Sequence, residues 1–179
     1  MNDSNGPSTA PNTQRVDPPM AADERTMLTS WLDWHRATVH TKCADLAPHL
    51  STAAPLPTSP MTTIGGIVCH LRWVEAFWFE AVMLDQPGRA PYSREDPDAE
   101  WRMGKTQPIG ELLDEYETQC RRSREIVAKL ELADFSRRVP DVQGRTTLRW
   151  VLVHMIEETA RHNGHLDVLR ELADGVVGE

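Results

Sequence analysis

A chain of 179 residues suits one domain with an enclosed core, and its formal net charge of −8 at pH 7 argues against a nucleic-acid groove or an anionic membrane surface as partner. Its three cysteines, Cys43, Cys69 and Cys120, have no CxxC spacing, which argues against a disulfide framework and a closed thiolate zinc site and fits a reducing cytoplasm. The N-terminus lacks the basic start and apolar run of a signal peptide, and no apolar run approaches the ~20 residues that span a bilayer.

Residues 1–20, rich in Pro, Asn, Ser and Thr, predict a flexible tail, because few large apolar groups offset the entropy of ordering. Residues 21–179 then carry four helical patterns. The first runs from about Asp23 to Leu46, with Leu28, Leu32, His35, Val39 and Leu46 at helical spacing, and the proline-rich stretch from Pro48 to Pro60 ends it. The second runs from about Thr62 to Leu84, where "DQPGRAP" stops it. The third, opened by Pro108, covers about Ile109 to Leu132; the fourth spans about Thr147 to Ala173, with Gly175 as its stop. Strand patterning is weak, so the expected class is all-α, a four-helix bundle with a long connection, about Asp85 to Pro108, between helices 2 and 3. The basic clusters Arg121, Arg122, Arg124 and Arg137, Arg138 carry no interleaved aromatics and read as solvated charge.

At ~100° per residue, the apolar arc of the fourth helix is set by Leu148, Val151, Met155, Leu166 and Leu169. Glu158 and His162 fall inside it, whereas His154 and His165 lie at its rim. Four residues apart, Glu158 and His162 sit one turn apart on one face, a spacing that can grip a single ion. The same spacing also serves a plain Glu–His pair. On the second helix His70 shares an arc with Ile67, Val74, Phe77 and Ala81, where a lone histidine bonded to a carbonyl is the simpler reading. Together, His70, Glu158 and His162 put three inward side chains of metal-ligand chemistry on two helices of one bundle. His35 reads as a cleft-lining or hydrogen-bonded residue, Cys69 as a packed inert thiol, and Glu75 as the partner of an arginine. Trp31, Trp34, Trp73, Trp78 and Trp150 are expected in the core and its margins, and Trp101 is the tryptophan placed to cover a cleft.

The stretches "GGIVCHLRWVEAFWFEAV" and "EETARHNGHLDVLRELADG", with "LDWHRATV" in the first helix, resemble the DinB/YfiT-like superfamily of metalloenzymes, in particular its actinobacterial branch. The resemblance covers about residues 22 to 176. It implies an up-down-down-up bundle in which one residue of helix 2 and two of helix 4 hold a divalent metal. Many members use three histidines; here the corresponding set is His70, Glu158 and His162, which resembles the zinc site of mycothiol-dependent maleylpyruvate isomerase. The superfamily includes S-transferases that use mycothiol, bacillithiol or glutathione, often as homodimers.

Two neutral imidazoles and one carboxylate leave a divalent cation with open positions, the catalytic rather than the structural arrangement. Zinc suits these donors best, and nickel, manganese or iron are compatible with them. Such an ion deprotonates an incoming small thiol, so the expected activity is thiol transfer to, or thiol-dependent isomerisation of, a small electrophile. The alternatives are a non-catalytic metal-binding or stress-response bundle, and a bundle in which Glu158 and His162 merely bond each other.

Overall fold

In the computed structural model, which describes residues 14–140 and 144–177, the described chain is helical, and its one isolated β-bridge joins Phe135 to Thr147. The elements are α1 (Glu24–Cys43), α2 (Pro48–Ser51), α3 (Ile64–Glu75, continued by a π-helical stretch Ala76–Val82), α4 (Ala99–Gly104), α5 (Ile109–Val127) and α6 (Leu148–Asp174). Of the tail expected over residues 1–20, residues 1–13 lie outside the described residues; the Arg15 guanidinium sits 5.4 Å from the Trp34 ring centroid. Among the described residues no helix is long and apolar enough to cross a membrane.

Local chemistry sets the helix ends. Asp23 accepts the Thr26 N–H at 3.1 Å to start α1, Thr63 accepts the Gly66 N–H at 2.9 Å to start α3, and Thr147 accepts the Trp150 N–H at 3.3 Å to start α6. Gly175, at φ 75°, closes α6 in the left-handed conformation. Two helices stop earlier than their periodicity suggests. Asp45 turns left-handed at φ 55° just beyond α1, short of Leu46. Past α5, Arg25 donates to the carbonyls of Val127 (3.1 Å) and Leu130 (2.7 Å), satisfying backbone groups that a longer helix would have used itself.

The helix α1 packs along α6, and α3 packs against α4, α5 and α6. One apolar cluster gathers Val39, Ile67, Leu71, Leu112, Tyr116 and Leu166; a second gathers Leu32, Phe79, Met83, Leu148, Leu152 and Met155. The buried Arg36 guanidinium, donating to Glu75 at 2.8 and 2.7 Å, ties α1 to α3, as the reading of Glu75 anticipated. Trp73 is buried, but Trp31 and Trp150 are 42% and 49% exposed, so those two indoles do not fill the core.

The connection between α3 and α5 is not a free strand of chain. It folds into α4, which crosses the start of α3 where Gly65 and Gly104 face each other; a Cβ added to either would overlap the other's backbone carbonyl. Glycine at both positions therefore permits a backbone-to-backbone approach that any side chain would block.

Candidate metal centre

The fourth-helix pair lies as the helical spacing requires. Glu158 and His162 face the same side of α6, with His162 Nε2 3.2 Å from Glu158 Oε1. From α3, His70 brings its own Nε2 to 3.2 Å from the same oxygen. The two imidazole centroids are 4.9 Å apart, and one donor atom from each of His70, Glu158 and His162 lies within 4.8 Å of the others. In a tetrahedral zinc site with bonds of ~2.0–2.1 Å, neighbouring donors are roughly 3.3 Å apart, close to the two nitrogen–oxygen distances here. The donor types suit a divalent cation, and two of the three spacings match that figure, with all three atoms within 4.8 Å of one another.

His70 is not fully inside. The π-helical stretch that begins at Ala76 breaks the 100° phase on which Phe77 and Ala81 were aligned with it. The most buried side of α3 runs instead through Ile67, Leu71, Glu75 and Phe79, and the His70 side chain is 18% exposed at the rim. A partly open rim gives a ligand access that a bundle centre would deny.

Burial by itself lowers the His70 pKa, but hydrogen bonds to Glu100 and Glu158 outweigh it and raise it to about 9. Each ring nitrogen thus faces a carboxylate oxygen, Nδ1 that of Glu100 and Nε2 that of Glu158. Bonds from His162 and His70 hold Glu158 well below the usual carboxylate range, against the opposing effect of burial. His162 turns its other nitrogen, Nδ1, to within 3.5 Å of His165 Nδ1. Arg161 Nη1 stands 3.8 Å from Glu158 Oε2 on the outer side.

Two residues from α4 complete the surroundings. Glu100 is buried and its Oε1 lies 2.7 Å from His70 Nδ1. Trp101 stacks on the His70 ring, with centroids 4.6 Å apart and planes at 16°. The lone tryptophan of the long connection, expected to cover a cleft, lies on the His70 ring; Glu100 was missed, because its stretch has no periodic pattern to separate it from neighbouring acids. His35 stays apart from the cluster: the Asn163 side-chain nitrogen is 3.5 Å from its Nδ1 and donates to its carbonyl at 3.0 Å, and burial lowers its pKa. His154 stacks on Trp150, with centroids 5.1 Å apart, away from the three donors. A recess lined by Phe77, Glu80, Arg89, Tyr92 and Arg138 opens elsewhere along α3 and includes none of the three.

The three cysteines are free and buried. Burial pushes Cys69 up to about 11, Cys43 up to about 12 and Cys120 well above its ordinary value. None is available as a thiolate at neutral pH, so sulfur chemistry at this site needs a thiol from outside the chain.

Comparison with known proteins agrees with this architecture. The family model described as mycothiol-S-transferase matches residues 27–175. A crystal structure described as the conserved protein of locus from Enterococcus faecalis superposes with a TM-score of 0.61 at 16% sequence identity, covering 87% of this chain and 100% of that one. At that identity the likeness speaks for the fold alone. No curated protein matches the sequence significantly.

Proposed function

Because the chain belongs to the mycothiol S-transferase family, we propose that it is a divalent-metal-dependent enzyme that transfers a small thiol of the mycothiol type to an electrophilic carbon, with His70, Glu158 and His162 as the metal ligands. The observation that carries this reading is the convergence of two imidazole nitrogens and one carboxylate oxygen within 4.8 Å. When bound, a divalent ion supplies the Lewis acidity that strips the proton from a thiol at neutral pH.

The chain's own residues do the rest. Glu158 and the two imidazoles would hold the ion, and because none of the three side chains is fully buried an incoming thiol would have access to it. Trp101 shields one face of His70 from water. The thiolate sulfur forms a bond to the electrophilic carbon, the leaving group departs with the electron pair, and the thiol proton passes to solvent.

This reading takes zinc as the ion, the reducing interior of the cell as the location, and a homodimer as the assembly. It takes residues 21–179 as one up-down-down-up bundle. The three free thiols support the reducing setting. The direct test loads the purified chain with zinc and mixes it with mycothiol and a chlorinated nitroarene, following the thioether and released chloride. Metal-dependent turnover that is lost with chelator is expected. No adduct with mycothiol, bacillithiol or glutathione would leave a metal-binding bundle without turnover.

A further inference from the structure

Beyond the three donor residues, one buried acid has no obvious reason to be where it is. Glu100 is 5% exposed, its Oε1 meets His70 Nδ1 at 2.7 Å, and its Oε2 has no hydrogen-bond partner. A buried carboxylate is costly unless its charge is compensated. Among the described residues no lysine or arginine forms an ion pair with Glu100; His70 is the group that does.

The geometry divides the His70 ring between two tasks. Nδ1 faces Glu100 and carries the proton of that bond, while Nε2 faces Glu158 and His162. An imidazole coordinates only through a nitrogen that has shed its proton, so a strong acceptor at Nδ1 decides that Nε2 is the donor. Trp101, the next residue, fixes the plane of the same ring. Adjacent helical residues point ~100° apart, which lets Glu100 reach the ring's edge while Trp101 lies on its face. The Gly65–Gly104 crossing holds both on α3.

We propose that Glu100 is a positioning residue for the metal: it holds His70 with the proton on Nδ1, aims Nε2 into the site, and makes that nitrogen a stronger donor. The proposal rests on the metal reading above. The competing possibility is a staple that merely fastens α4 to α3, in which case removing Glu100 loosens α4 and leaves the grip on the ion unchanged.

The test measures zinc affinity of the full chain by competition with a chromophoric chelator, alongside nitrogen–proton spectra of the imidazoles and helix content. The variants are Glu100→Ala, Glu100→Gln and, as reference, His70→Ala. In the zinc-loaded parent a slowly exchanging Nδ1–H signal that vanishes in His70→Ala is expected. Glu100→Ala is expected to lose that signal and to bind zinc about 10–100-fold more weakly at unchanged helix content. Glu100→Gln keeps an acceptor without the charge and falls between the two. Parental affinity in a folded Glu100→Ala overturns the proposal. If that variant does not fold, Glu100→Gln decides: weaker binding supports the proposal and parental binding overturns it. A parent that binds no zinc at all overturns the metal reading itself, an outcome distinct from parental affinity in the Glu100 variants beside a His70→Ala that has lost the ion.

Discussion

Gly65 on α3 and Gly104 on α4 meet backbone to backbone, and this contact places Glu100 and Trp101 against His70. A methyl group on either glycine overlaps a carbonyl of the other helix, so α4 has to move. Gly104→Ala is therefore expected to cost about 1–3 kcal/mol of stability, the usual range for overpacking. It is also expected to weaken zinc binding, because Glu100 moves with the helix. Gly164→Ala is the control. A Cβ there meets nothing within 4 Å, and the position is an exposed helix interior, where alanine is expected to stabilise by about 0.5–1 kcal/mol. Urea unfolding of the metal-free proteins checks both signs.

The three-donor cluster makes a separate prediction about metal content. His70→Ala and His162→Ala each leave two donors, and protein prepared without chelator is expected to drop from about one zinc per chain to trace levels by elemental analysis. His154→Ala is expected to keep its zinc, since that ring stacks on Trp150. Loss of zinc in His154→Ala would mean that the wrong pair on α6 has been identified.

What the sequence made legible follows from where helical arithmetic holds. Glu158 and His162 lie on an unbroken helix, so the 100° step placed them on one face. His70 does meet them from α3, but the neighbours assigned to its face were misjudged: beyond Ala76 the wider turns of the π-helical stretch leave Phe77 half-buried and bury Glu80. Glu80 is accommodated by the Gln119 amide at 3.1 Å and by Arg89 at 2.7 Å, partners that no local pattern announces. Glu100 was illegible because α4 is six residues long, too short to show a hydrophobic period. The end of α5 depends on Arg25, about a hundred residues away in sequence, and contacts at that range have no local signature.

The Arg36–Glu75 pair carries a prediction about stability rather than activity. Both side chains are almost wholly buried, at 3% and 1% exposure, and the Arg36 pKa lies well above its ordinary value as Glu75 outweighs burial. A buried pair adds little over an apolar filling, but breaking it leaves Arg36 with only the partly exposed Asp33, at 2.9 Å, as its partner. Glu75→Gln is expected to destabilise the metal-free protein by about 1–3 kcal/mol, and the double variant Arg36→Met/Glu75→Leu by less than that single change. Urea midpoints with unchanged slopes check the comparison.

A last prediction concerns acid, away from the metal centre. Glu117 on α5 accepts from Arg124 at 3.0 Å, and His40 Nε2 stands 3.6 Å from its other oxygen, beyond hydrogen-bond range. Burial favours the neutral acid, yet His40 and Arg124 outweigh it and hold the Glu117 pKa below its ordinary value. In the unfolded chain a glutamate titrates near ~4.3, so as pH falls the unfolded state takes up its proton first. The contribution of Glu117 is thus present at neutral pH and disappears as pH falls through its folded pKa. Glu117→Gln is accordingly expected to be less stable than the parent at pH 7, with the gap narrowing as the pH drops below ~4. Urea midpoints of metal-free parent and variant across that range check this; a gap that stays constant with pH would mean the carboxylate's charge contributes nothing there.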